Sequence, residues 1–162
     1  MRPDRCWVAL LLVGCHPGDA ATGDTAPSTP TCGAEVVLGT GTDAFVEVAD
    51  GDPLPLVFGP QGGYHLPLAL RGCGVGAPLR SHVVGVLQGS GEVVADVTVS
   101  HVWRPVDACC GVLLDLKGYV AAGVDPLSLV GDTVVLDYDG VLEGSTPGEP
   151  LVDHLEVVVG AP

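Results

Sequence analysis

The sharpest pattern in the chain is the run 92–103, where apolar and polar side chains alternate. Val93, Ala95, Val97 and Val99 fall on one side, and Glu92, Asp96, Thr98 and Ser100 on the other. Period-two alternation of this length predicts a half-buried β-strand with one wet face. Shorter runs of the same kind recur at Val36 to Leu38, Phe45 to Val48, Leu54 to Phe58, Tyr64 to Arg71, 82–88, 112–116, 133–138 and 154–159. Turn residues separate them, notably Asp50-Gly51-Asp52-Pro53 and Gly59-Pro60-Gln61-Gly62-Gly63. Gly89-Ser90-Gly91 between two such runs predicts a hairpin with a three-residue loop. Leu54, Leu56 and Phe58 share a parity, as do Leu66, Leu68 and Leu70, and these are expected to face the core. No stretch carries a helical period. Together the runs predict an all-β domain, an antiparallel immunoglobulin-like β-sandwich of roughly 7–9 strands. A jelly roll or a small barrel is the alternative. Tyr138, in phase with Val134 and Leu136, is expected to be buried with its hydroxyl at a sheet edge.

Composition agrees with strands and turns: 24 Gly, 14 Pro and one Lys in 162 residues, with a mean hydropathy of +0.45. No apolar run approaches the ~20 residues that span a bilayer as a helix. The longest, Trp7 to Val13, follows Arg2 and Arg5, which is the layout of a secretion signal. Leu12-Val13-Gly14-Cys15 then resembles the lipobox of bacterial lipoproteins. That resemblance implies cleavage after residue 14 and lipid on Cys15. His16, where an Asp would favour retention at the inner membrane, points to the outer one. Residues 16–31 hold no aliphatic side chain larger than Ala and cannot bury enough surface to fold. The expected organisation is a signal peptide at 1–14, a lipidated Cys15 with a flexible tether to residue 31, and a β-domain over 32–162. A coil of the tether's length reaches roughly 20–25 Å.

Loss of residues 1–14 removes Arg2, Arg5 and Asp4, leaving four basic residues against nineteen acidic ones, a formal charge of −15. Such a charge repels nucleic acid and anionic head groups. It favours solubility in a crowded envelope, or attraction for divalent cations and basic partners.

Four cysteines remain in the domain: Cys32, Cys73, Cys109 and Cys110. An even count in an exported chain reads as two disulfides. A bond between neighbours Cys109 and Cys110 would strain the chain, so each is expected to pair separately with Cys32 or Cys73, in either order. No Cys-x-x-Cys is present to favour a zinc site.

His65 lies opposite the Leu66, Leu68 and Leu70 face and is expected in solvent. His154 shares a face with Glu156, and His101 has core parity beside Trp103. Met1 is the only methionine and leaves with the signal, which removes the usual axial ligand of a blue-copper site. Asp50-x-Asp52 and Asp137-x-Asp139-Gly140 read as short acidic loops of a kind that can hold Ca²⁺, although turns favour the same residues. Ser90, at a hairpin tip, lacks the Gly-x-Ser-x-Gly spacing of a nucleophile elbow. No phosphate-cradling loop occurs. An enzyme is not expected.

Leu56-Val57-Phe58-Gly59-Pro60-Gln61-Gly62-Gly63-Tyr64-His65 is the most distinctive segment. It resembles a stretch in small, acidic, uncharacterised lipoproteins of myxobacteria and their relatives, where a lipobox and a Gly/Thr/Asp/Pro-rich tether also precede a β-rich domain. The resemblance covers 1–31 loosely and about 43–71 more closely, and it implies location and architecture only. Gln61 and His65 are the candidate ligand contacts of this loop. The expected function is a non-catalytic, membrane-tethered module making protein or glycan contacts in the envelope. The alternative is a binder of divalent metal or a small ligand.

Overall fold

The computed structural model describes residues 32–75, 79–142 and 150–162; the signal segment, Cys15 and the tether lie outside them. Every alternating run forms a strand. In chain order these are β1 (Glu35–Thr40), β2 (Val46–Glu47), β3 (Asp52–Pro55), β4 (Val57–Phe58), β5 (Tyr64–Cys73) and β6 (Leu79–Leu87). After them come β7 (Val93–His101), β8 (Arg104–Pro105), β9 (Cys110–Tyr119), β10 (Thr133–Leu142) and β11 (Leu151–Gly160). A 3-10 turn, Pro126–Leu129, is capped by the Asp125 carboxylate, which accepts from Leu127 N at 3.1 Å.

The strands divide between two packed sheets, an all-β sandwich. The first has the order β2-β1-β5-β9-β8, with β4 also on β5; the second has β3-β11-β10-β6-β7. All pairings are antiparallel except β3 with β11. Between the sheets lie Leu38, Leu66, Leu68 and Leu70 from one side and Val83, Val134, Leu136 and Val157 from the other, all buried. Each such side chain contributes roughly 1.5–3 kcal/mol by leaving water. One lateral opening is closed where Ala95 of β7 bridges Val120, just after β9. The other is closed by a polar contact: Leu38 N of β1 donates to Asp153 Oδ2 of β11 at 2.6 Å.

The parity readings fail at two places, each with a visible cause. Val93 is 45% exposed and Val94 takes the core position, because a bulge opposite Gly85 and Val86 shifts the register. Phe58 is 62% exposed although Leu54 and Leu56 are buried. The chain leaves the second sheet after β3 and joins the first at β4, so alternation does not carry across the crossing. The hairpin after β6 is also longer than read, with the strands ending at Leu87 and resuming at Val93.

Two disulfides join Cys32 to Cys109 and Cys73 to Cys110, across 77 and 37 residues of sequence. Cys73 and Cys110 are register partners on β5 and β9. Consecutive residues of an extended chain point to opposite sides, so Cys109 is free to reach back to Cys32, ahead of β1. The Asp107 carboxylate accepts from Cys109 N at 2.7 Å and Cys110 N at 2.8 Å, which fixes the approach to β9. Those two donors hold the Asp107 carboxyl below its ordinary pKa. Gly74, at φ 61°, passes so close to Cys32 and Gly33 that a Cβ would stand 2.5 Å from the Gly33 carbonyl.

Candidate functional site

The outer face of the second sheet is where side-chain chemistry gathers. Strands β11, β10, β6 and β7 run side by side, and their register sets polar side chains in rows across the sheet. One row reads Val152, Asp139, His82, Thr98; the next reads Val141, Arg80, Ser100. A third runs His154, Asp137, Val84, Asp96. Directly opposed side chains on a sheet face stand ~4.5–5.5 Å apart at Cβ, so each row is a continuous strip.

Two imidazoles are fixed by carboxylates on this face. His82 Nε2 lies 2.9 Å from Asp96 Oδ1, and His154 Nδ1 lies 2.9 Å from Asp137 Oδ1. An ionised carboxylate only accepts, so the contacting ring nitrogens are the donors in both pairs. The Asp137 hydrogen bond holds the His154 pKa above its ordinary value against the cost of desolvation, and the Asp137, Glu156 and Asp50 charges add to the rise. Beside His82 the face sinks into a hollow of about 520 Å³ lined by Arg80, His82, Thr98, Asp139 and Val141. Among the described residues Arg80 and Asp139 form no ion pair and no side-chain hydrogen bond, although both border this hollow.

The residues singled out by sequence fall in three places, and the first of them is this face. Asp137 and Asp139 are not in a loop, as the sequence reading had them; both sit within β10 and point outward from the sheet. The Asp-Gly pair that suggests a turn here serves a different need: Gly140 leaves room for the Tyr138 ring, which folds over it. Asp50 and Asp52 do lie at a turn, and each is engaged there. Asp50 Oδ1 accepts from Glu156 N at 2.9 Å, and Asp52 Oδ2 accepts from Ala49 N at 3.0 Å. Among the described residues no three His, Cys, Asp or Glu side chains gather closely enough to hold a metal ion.

The Gly59–Gly63 loop does not bring Gln61 and His65 together. It closes on itself through Gly59 N to the Gly63 carbonyl at 2.9 Å and Gly62 N to the Gly59 carbonyl at 3.0 Å, with Gln61 exposed at its tip. His65, expected in solvent, is only 5% exposed. It sits on the outer face of β5, between Val57 of β4 and Tyr119 of β9, with the Tyr119 ring centroid 5.6 Å away. Desolvation, reinforced by the Lys117 charge and opposed by Asp115, keeps its pKa below the ordinary value. Its Nδ1 is buried without a hydrogen-bond partner.

The pattern along the chain does not single out Arg80, His82 and Asp96 as a group. The sequence pattern starts this strand at residue 82, whereas β6 begins at Leu79. The alternation of Leu79, Ser81, Val83, Gly85 and Leu87 against Arg80, His82, Val84 and Val86 was the available signal. Which strands flank β6 was not available from it.

Comparisons with protein-family models, with curated proteins and with solved structures give no match for this chain.

Proposed function

We propose that this chain is a non-catalytic lipoprotein, anchored in the outer membrane through Cys15, whose exported sandwich works as a binding module in the cell envelope. The observation that carries the reading is the row Asp139, His82, Thr98, which places an acceptor, an oriented imidazole and a hydroxyl along one rim of an open hollow. The seven long strands support an immunoglobulin-like architecture: first, second and fifth in one sheet; seventh, sixth, third and fourth in order in the other. Sandwiches of that kind commonly present a sheet face or loop cluster to a partner.

The same face argues against catalysis. The His82 and Asp96 pair resembles part of a charge-relay arrangement, but β6 is flanked by β10 and β7, so its amides are committed to the ladders and build no oxyanion hole. Ser90 Oγ is engaged by its own turn, accepting from Glu92 N at 3.2 Å.

Two measurements test the reading. Full-length chain should incorporate labelled fatty acid and fractionate with outer membranes, and Cys15→Ser should abolish the label. Unlipidated chain starting at residue 16 should co-sediment with insoluble envelope material, and Arg80→Glu should weaken that retention. A labelled Cys15→Ser variant would defeat the anchor, and equal retention of Arg80→Glu would defeat the assignment of the face.

A further inference from the structure

We infer that the hollow on the second sheet takes a neutral, hydroxyl-rich glycan; the inference rests on that outer face being the binding surface. Arg80 offers only donors and Asp139 only acceptors, and they occupy diagonal positions on neighbouring strands without pairing to each other. A ligand seated between them must therefore accept at one point and donate at the next. Adjacent sugar hydroxyls do both, and the Thr98 hydroxyl, itself donor and acceptor, extends the same alternation along the row it shares with His82.

The apolar part of the site fits as well. Val141 lines the hollow, and Val152 stands beside Asp139 in the same row; they are 50% and 67% exposed. Carbon-bound hydrogens on a sugar ring pack against such side chains without leaving a polar group dry. Asp96 is a positioning residue, since it fixes the ring of His82 rather than facing the hollow.

Charge narrows the class. A mature chain at −15 repels uronic acids, teichoic polymers and other polyanions, so the favoured glycan is uncharged. The hollow lies open along a strand face instead of enclosing its contents, which suits a segment of a long polymer. With no aromatic platform among the described residues of the lining, each contact is weak, and many tethered copies acting on one polymer supply the avidity.

The test is an amide-shift titration of isotope-labelled chain from residue 16 onward with maltohexaose, laminarihexaose and mannohexaose, each to about 10 mM, where weak affinities still register. At least one should shift the amides of Arg80, His82, Thr98 and Asp139. Arg80→Gln and Asp139→Asn, each at an exposed position, should keep the native spectrum and weaken association by about fivefold or more. Silence from all three sugars overturns the inference. A stronger response to the zwitterion alanylalanine, or to polygalacturonate, overturns the ligand class and leaves the face standing. Shifts confined to the Gly59–Gly63 loop would defeat the face itself.

Discussion

The Tyr138 hydroxyl meets Ser81 Oγ at 3.1 Å inside the sandwich, directly over Gly140. Tyr138 and Gly140 share the core side of β10, and Ser81 faces Gly140 from β6. The tyrosine leans along its own strand into space that only glycine leaves, and the hydroxyl finds a buried partner instead of a sheet edge. Burial pushes the phenol pKa up, with Ser81 opposing and Asp139 adding to the rise.

Gly140→Ala is therefore expected to destabilise the fold by ~1–3 kcal/mol or more through overpacking. Ser81→Ala should cost about 1–2 kcal/mol by leaving the hydroxyl without its partner. Urea unfolding would measure both. If Gly140→Ala were neutral, the ring would have to lie elsewhere.

Asp153 ties β11 to β1 through Leu38 N, a contact between sheets rather than within one. Asp153→Ala leaves a part-buried amide without its acceptor and should lower stability by ~1–3 kcal/mol. Hydrogen exchange should locate the effect: the Leu38 amide becomes the most deprotected of β1. Uniform loss of protection across both sheets would contradict a local staple.

The two bridges close loops of 77 and 37 residues. Chain-entropy arguments put each at about 4 kcal/mol. Non-reducing peptide mapping should return one linked cluster, with the segment carrying Cys109 and Cys110 bound to two others. Cys32→Ala with Cys109→Ala, and Cys73→Ala with Cys110→Ala, should each lower stability and leave the remaining bridge formed. Free thiols at both Cys109 and Cys110 in the purified protein would refute the pairing.

His65 and His154 should titrate on opposite sides of the ordinary histidine value of 6.5, as followed by the ring proton shifts. For His65 the folded pKa is the lower one, so the unfolded chain binds protons first. Its contribution favours folding at higher pH and is lost as pH falls through 6.5, levelling off below the folded value. His101, lowered chiefly by burial beside Trp103 and only partly compensated by Val99, acts in the same direction. For His154 the folded pKa is the higher one: its stabilisation is full below 6.5 and disappears as pH rises through the folded value. His154 is exposed and water screens its pairing, so net stability should fall on acidification below 6.5. A His65→Gln variant that kept the full acid sensitivity would show that His65 does not contribute to it.

Much of the architecture was readable because one sheet face is wet and the other dry. Leu66, Leu68 and Leu70 announce their side of β5 without any knowledge of neighbours. What alternation cannot carry is a change of partner. Val94 replaces Val93 because β7 bulges against β6, and Phe58 is exposed because β4 belongs to a different sheet from β3. His65 is buried by Val57 and Tyr119, residues 8 and 54 positions away, that only the pairing of β4 and β9 with β5 brings beside it. The candidate site was hidden for the same reason. Arg80, Asp96 and Asp139 are ordinary polar positions on three strands until β6 is known to lie between β10 and β7.

The bond from Cys32 to Cys109 also decides how the domain takes a mechanical load. A pull on the chain ahead of Cys32 enters the molecule there and passes directly to the start of β9, between β5 and β8 of the first sheet. Strand β1 lies inside the bridged segment and carries none of it, so it is not peeled from β5. Stretched between its N-terminal side and a ligand held on the second sheet, the oxidised domain should resist as one block. Single-molecule extension would show β1 detaching early only after reduction, and early detachment with the bridge intact would overturn this load path.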